Sequence, residues 1–295
     1  PWHVARTGNL LRELIPEDLE QDEKELPKKS LYEAVETEDL EEVQNLMQLG
    51  VHPNLLNQKN YQVEFRLPIH IAVDTQNLEI TELLLKNEAD PDFPNHYVHV
   101  TLEAAIKQEN TALVSLLLQY GADPNHNMGN MPYSLLHLAA KRNTLSILEL
   151  LLQYGADPEI QIGGHYFYHP PLRDAVSIEA IDILVRYGAK TDPEKMKDFL
   201  IWPIGRGDTE VVKKFIRIGV PVRDAGLWNE AIRGSNRHNQ TIPICKALLE
   251  AGLDVNTPIH YYGVPLFRAI HYRNIELIEI FLDHGADLNV IEPDS

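Results

Sequence analysis

The sequence has almost no cysteine, little methionine, few aromatic residues and no long hydrophobic run. Its one cysteine among 295 residues, Cys245, can close no intramolecular disulfide and can build no multi-thiolate metal centre, so a reducing compartment fits best. No stretch approaches the roughly 18 continuous apolar residues that a membrane-spanning helix requires. The opening Pro1-Trp2-His3 lacks a basic segment followed by an apolar one. No secretory leader is therefore expected, and the missing initiator Met reads as processing or excision. Basic charge is scarce as well: 26 Lys and Arg stand against 44 Asp and Glu, a net charge of −18. That surplus opposes docking on phosphate backbones or anionic lipid, so neither nucleic acid nor membrane insertion is expected.

Catalytic motifs are missing too. There is no G-x-S-x-G, no phosphate-cradling glycine loop and no H-E-x-x-H, so no catalytic residue and no cofactor are expected. Two histidine pairs, His96 with His99 and His165 with His169, offer too few ligands for zinc, and no metal is expected either. What remains, 44% hydrophobic and 24% charged residues, is the composition of an ordinary folded chain.

A repeat of about 33 residues organises that chain. Segments of the type Leu-Leu-Leu-x-x-Gly-Ala-Asp-Pro recur at Leu116 to Pro124 and Leu150 to Pro158, with variants ending at Asp92 and Asn289. Aligned on the glycine, the anchors are Gly50, Glu88, Gly121, Gly155, Gly188, Gly219, Gly252 and Gly285, spaced by 38, 33, 34, 33, 31, 33 and 33 residues. Each unit reads as two short helices. The first carries a small residue sixteen positions before the anchor in most units: Ala34, Ala72, Ala105, Ala139 and Ala269. The second has apolar residues at helical spacing, as in Leu78, Ile80, Leu83, Leu84 and Leu85. The glycine supplies the left-handed conformation that ends the helix, and the following Asp-Pro begins a turn. One such pair cannot bury its apolar face alone, so neighbours must stack into a solenoid.

These residues resemble the ankyrin repeat, with its T-P-L-H-x-A helix start and G-A-D-x-N approach to a hairpin. The match is carried by Pro68-Ile69-His70-Ile71-Ala72, Leu136-His137-Leu138-Ala139-Ala140, Pro171-Leu172-Arg173-Asp174-Ala175 and Pro265-Leu266-Phe267-Arg268-Ala269. The resemblance implies an all-α ankyrin-repeat solenoid of helix-turn-helix units joined by β-hairpin-like loops. It covers residues 31–290 in about eight repeats. Residues 1–15 read as a degenerate repeat and 16–30 as an acidic connector, since residues 13–42 hold 13 acidic and 3 basic side chains. A tail occupies 291–295, and both ends look cut. Glu88 departs from the glycine column and is expected to strain its helix end or leave the left-handed conformation. Pro203 stands where alanine is expected, the fifth unit loses three residues after Ala175, and the seventh gains five around residues 234–240.

The resemblance implies partner binding along a groove formed by hairpin tips and first helices. The tips are rich in aromatic residues: Tyr97, Tyr133, the run Tyr166-Phe167-Tyr168, and Tyr261-Tyr262. Tyrosine offers contact area and a polar tip at low entropic cost. With Lys141, Arg142, Tyr272 and Arg273 on the first helices, these form the candidate partner-binding set. His70 and His137 fall on the family's structural histidine, and Cys245 aligns with apolar residues of the second helix, as a buried and inert thiol should. The expected function is a non-catalytic scaffold, monomeric on its own, binding one or more intracellular proteins, with a basic or extended partner segment favoured by the acidic surplus. The competing readings are the targeting module of a larger enzyme and a viral or secreted host-directed effector. Cytoplasm, the host's in the effector case, is the expected location, with the nucleus open.

Overall fold

The computed structural model describes residues 29–54, 67–93, 101–126, 133–160, 169–194, 196, 198–233, 240–259 and 263–289. Most of the connector, the degenerate unit at 1–15 and the tail at 291–295 lie outside them. The fold is an all-α ankyrin-type solenoid of successive helix pairs, and the described residues contain no strand, only an isolated bridge between Ile259 and Gly263. The chain divides into two compact units, Pro1–Ala139 with Thr144–Tyr168, and Ala140–Asn143 with His169–Ser295.

In the first unit the pairs are α1 (Leu31–Glu36) with α2 (Leu40–Gln48), α3 (Pro68–Asp74) with α4 (Leu78–Lys86), and α5 (Thr101–Lys107) with α6 (Thr111–Gln119). The fourth pair is α7 (Leu135–Arg142), whose last residues group with the second unit, and α8 (Leu145–Gln153). The columns seen in the sequence form the core: Ala34, Ala72, Ala105 and Ala139 are fully buried, as are Leu46, Leu84, Leu117 and Leu151. Ser30 and Glu33 cap α1 reciprocally, and Lys29 Nζ donates to Asp39 Oδ2 at 2.9 Å, fixing the chain where it enters the first pair.

Both helices of a pair end in the same way. The residue after each anchor donates its N–H to a carbonyl five positions back, from Val51 to Leu46 through Ala286 to Phe281, at 2.9–3.1 Å. This requires a left-handed residue just before it, the glycine column. Glu88 keeps that conformation at φ +66°, so the expectation that it leaves the left-handed region does not hold; the hydrogen bond from Ala89 to Leu84 at 3.0 Å needs it there. A second left-handed column lies twelve residues earlier, at Glu38, Gln76, Glu109, Asn143, Gly207 and Arg273. There the next residue donates to the small-residue column, as from Asn77 to Ala72 at 2.9 Å, and at Asp39, Asn77, Asn110 and Asn274 it also caps the second helix with its own side chain, Asn77 Oδ1 accepting from Ile80 at 3.0 Å.

The second unit holds the irregular pairs: η1 (Pro171–Asp174) with α9 (Ile178–Arg186), α10 (Ile201–Arg206) with α11 (Thr209–Arg217), α12 (Gly226–Arg233) with α13 (Thr241–Glu250), and α14 (Pro265–His271) with α15 (Ile275–Asp283). The fifth pair departs from the expected two α-helices, because its first element is a single 3-10 turn. Pro170 and Pro171 open it, and only Val176 separates buried Ala175 from the capping Ser177. Pro203 sits third in α10, where an N–H would have no helical partner, so the helix survives it. Phe215 and Phe281 replace the core leucine. Each meets a buried aromatic edge-on, Phe199 at 5.9 Å and Trp228 at 5.3 Å between ring centroids.

Candidate functional site

Within the first unit the repeats are tied together by side chains that read as loop residues. Asn54 Nδ2 donates to the Glu88 carbonyl at 3.1 Å while its Oδ1 accepts from Asp90 N–H at 3.0 Å. Asn125 does the same to Gly155 and Asp157, at 2.9 and 2.8 Å, and in the second unit Asn256 does so to Gly285 and Asp287. Asp92 holds this place in the second pair. Its Oδ2 accepts from Asp123 N–H at 2.8 Å, but its other oxygen is buried with no hydrogen bond from the described residues, His126 Nδ1 lying 4.0 Å away. Burial pushes the Asp92 carboxyl above its ordinary pKa, against the pull of the Asp123 N–H and of His126.

The ends of the first helices point polar side chains along the stack. Asn77 Nδ2 donates to Glu38 Oε2 at 3.0 Å, and Asn110 Nδ2 to Gln76 Oε1 at 3.2 Å. These left-handed positions are therefore engaged in holding pair to pair. Lys107 is engaged as well: its Nζ lies 2.7 Å from Glu103 Oε1, a carboxylate only 2% exposed in the column that His70 and His137 fill elsewhere. Both histidines accept, through Nδ1, the N–H three residues upstream, from Leu67 and Ser134 at 3.0 and 3.1 Å, so they close the start of their own helices.

Of the candidate partner-binding residues, Tyr97, Tyr166, Phe167, Tyr168, Tyr261 and Tyr262 lie outside the described residues. So do His96, His99 and His165 of the histidine pairs. Tyr133 is half-buried just before α7, and Lys141 and Arg142 are exposed in the last turn of that helix. Tyr272 is half-buried at the end of α14, with its ring 5.2 Å from the Arg268 guanidinium and edge-on to His271 at 5.3 Å. Arg273 follows, exposed and left-handed. The structure thus groups Tyr272 with Arg268 and His271.

One residue escapes the sequence reading altogether. Trp202 on α10 is 59% exposed, one position before buried Pro203. It aligns with Ile71, Leu138 and Arg268, each one residue before the small column, and because Ile71 is buried there the position alone does not mark a surface residue. Cys245 is fully buried on α13, and desolvation pushes its thiol far above the ordinary range, as an inert structural cysteine requires.

Stacked helix pairs, left-handed helix ends and asparagine ties between neighbours define a helical repeat protein. Its family model, described as Ankyrin repeats (3 copies), matches residues 31–128, 69–162 and 102–197, more than half of the sequence, and the chain belongs to the ankyrin-repeat family. It is 32% identical over 79 residues to an ankyrin repeat protein of Acanthamoeba polyphaga mimivirus, covering 27% of this chain and 49% of that one. It is 33% identical over 94 residues to an ankyrin repeat protein of fowlpox virus (strain NVSL), covering 32% of this chain and 20% of that one. The matches thus span at most about half the length of these relatives. Ankyrin repeats are generally protein–protein interaction modules and typically non-catalytic. No described helix is long and apolar enough to cross a membrane.

Proposed function

We propose that this chain is a non-catalytic interaction module that binds one or more proteins through the ends of its first helices and the aromatic tips between its repeats. The observation that carries this reading is a contrast between positions. The core columns repeat from pair to pair, whereas the residues two and three places after the small column vary in charge, size and polarity: Asp74-Thr75, Lys107-Gln108, Lys141-Arg142, Gly205-Arg206 and His271-Tyr272. A fixed frame with a variable surface is how a repeat protein acquires specificity. The contacts are Tyr97, Tyr133, Lys141, Arg142, Tyr166, Phe167, Tyr168, Tyr261, Tyr262, Tyr272 and Arg273. The net charge of −18 favours fast encounter with basic segments, at a rate that falls as salt rises. Cytoplasmic action as a monomer completes the reading, with residues 31–290 as the binding solenoid.

The test compares the wild-type chain with a variant carrying serine at Tyr166, Phe167, Tyr168, Tyr261 and Tyr262, by affinity capture and quantitative mass spectrometry. A protein retained by the first and lost by the second, at unchanged melting temperature, supports the reading. Loss of stability in the variant would make those rings core and remove them from the surface.

The viral relatives favour one refinement. Both come from viruses of eukaryotic hosts and extend well beyond the matched region, which fits a host-directed effector, or the targeting part of a larger protein, acting in host cytoplasm. Capture from host lysate but not from viral proteins supports it, and capture of viral proteins alone refutes it.

A further inference from the structure

Three first helices of the second unit, α10, α12 and α14, stack in register and carry an exposed surface unlike the rest of the chain. Trp202, Glu230 and Arg268 occupy equivalent positions, each one residue before a buried Pro203, Ala231 or Ala269. Two positions beyond the buried residue come Gly205, Arg233 and His271, all exposed. Gly205 lies one helical turn after Trp202, on the same side of α10, and a side chain there would meet only Glu230 Oε2, at 3.9 Å. No side chain of α10 therefore stands at position 205, one turn from the indole. Arg206 follows one position later, its Nε donating to Asp208 Oδ2 at 2.7 Å, and Arg268 lies over the Tyr272 ring while donating to Asn229 Oδ1 at 3.0 Å. Arg206, Arg233, Arg268 and Arg273 thus lie on or just after these three helices, which carry one carboxylate, Glu230, with Asp208 two residues after α10.

This local excess of positive charge opposes the sign of the chain. Residues 169–295 hold 15 basic and 18 acidic side chains, so they contribute only −3 of the net −18. The strongest acidic run, residues 13–42, belongs to the first unit. At physiological salt charges more than about 8 Å apart are largely screened, so a ligand on this surface responds to the arginines beside it.

We infer that this surface docks an extended, acidic segment of a partner protein, with an apolar side chain over Trp202 and Gly205 and carboxylates on Arg233 and Arg273. The inference rests on the interaction-module reading and names its partner chemistry for the second unit. Stacked helices stand roughly 8–10 Å apart, and an extended chain of polyproline II type advances about 3.1 Å per residue with three residues per turn, so every third side chain of the segment faces the same surface and reaches the next helix. The recognised pattern is therefore one apolar residue followed by acidic residues three and six positions later. Trp202 supplies the apolar anchor and an N–H for the segment's backbone carbonyls, and tryptophan with arginine is the usual composition of an energetic centre in an interface. Guanidinium groups supply paired donors matched to carboxylates.

The probe is a fluorescent seven-residue peptide with Leu at position 1, Glu at 4 and Asp at 7, glycine and serine elsewhere, and a control with lysine at 4 and 7. Fluorescence anisotropy with the full chain should show saturable binding of the acidic peptide, weakened at least tenfold in the lysine control, in Trp202→Ala and in Arg233→Ala/Arg273→Ala. Trp202→Ala should keep the wild-type melting temperature, since the ring is exposed; Trp202→Phe, a smaller change, should retain part of the affinity. Equal binding of both peptides, no saturable binding, or binding indifferent to Trp202→Ala and the arginine pair overturns the inference. A protein captured by the wild-type chain and retained equally by the Trp202→Ala variant would leave the module reading standing and remove this surface from it, whereas capture of nothing would bring down the module reading itself.

Discussion

Asp92 accepts a hydrogen bond from the backbone N–H of Asp123 at 2.8 Å, the same contact that Asn54, Asn125 and Asn256 make across their own repeat junctions. The asparagines add a second bond by donating to the carbonyl of the left-handed residue, and a carboxylate cannot donate. Asp92→Asn should restore that bond and remove a partly buried charge, raising stability by about 1 kcal/mol at neutral pH. Chemical denaturation of the two proteins measures it, and a loss of stability would show that His126 and the charge matter more than the missing donor.

The same residue gives a pH signature. Burial raises the folded pKa of Asp92, with Asp90 and Asp123 adding to the rise and His126 opposing it. Above the ordinary aspartate pKa, near 3.9, the folded chain holds a proton that the unfolded chain has lost, so this group's stabilising contribution falls as pH rises through its raised folded value. Asp39 has the opposite sign: the Lys29 side chain and the Glu42 N–H hold its carboxyl low, so its contribution is present above the unfolded pKa and disappears as pH falls through the folded one. Subtracting the stability–pH profile of Asp92→Asn from that of wild type should isolate the first effect as a decline toward neutral pH.

Lys107 answers a buried carboxylate. Removing it by Lys107→Met leaves Glu103 unpaired at 2% exposure, and because Lys107 itself is 47% exposed the cost should be about 1–3 kcal/mol rather than that of a fully buried pair. Adding Glu103→Gln to the variant should recover much of the loss in the same denaturation assay.

The left-handed anchor column makes Glu88→Gly stabilising and Gly121→Ala destabilising, each by about 1 kcal/mol, since only glycine occupies φ +66° or +91° without penalty. Space is not the issue, because an added Cβ at Gly121 meets nothing within 4 Å. Equal stability of both variants with wild type would remove the backbone argument.

In the second unit Trp228→Ala should cost about 3–5 kcal/mol, because the indole packs edge-on to Phe281 and its Nε1 donates to the Asp254 carbonyl at 3.1 Å. Cys245 should report the opening of this unit: thiol labelling should be slow in buffer and fast in denaturant, and faster in Trp228→Ala than in wild type.

Periodicity made the architecture readable, because Ala34, Ala72 and Ala105, or Leu84 and Leu117, recur at fixed distance from a left-handed anchor, glycine in every unit but that of Glu88, that the backbone itself demands. The second left-handed column was hidden, since Glu38, Gln76, Glu109 and Arg273 are not residues that advertise positive φ; they hold it because the next residue must reach the carbonyl five positions back. The shortened fifth pair could be counted as three missing residues but not drawn as a 3-10 turn. Trp202 was not legible as a surface residue, because its column holds buried Ile71 as well as half-buried Leu138 and Arg268. The aromatic tips stand out in the sequence by type alone, which says nothing of what they touch.

Hydroxyl-radical footprinting of the full chain, alone and with the protein it captures, tests the central claim most directly. Binding through first-helix ends predicts that Trp202, His271 and Tyr272 become protected from oxidation while Leu78 and Tyr154, exposed on second helices and their ends, react as before. Protection of Leu78 and Tyr154 with Trp202, His271 and Tyr272 unchanged would contradict it.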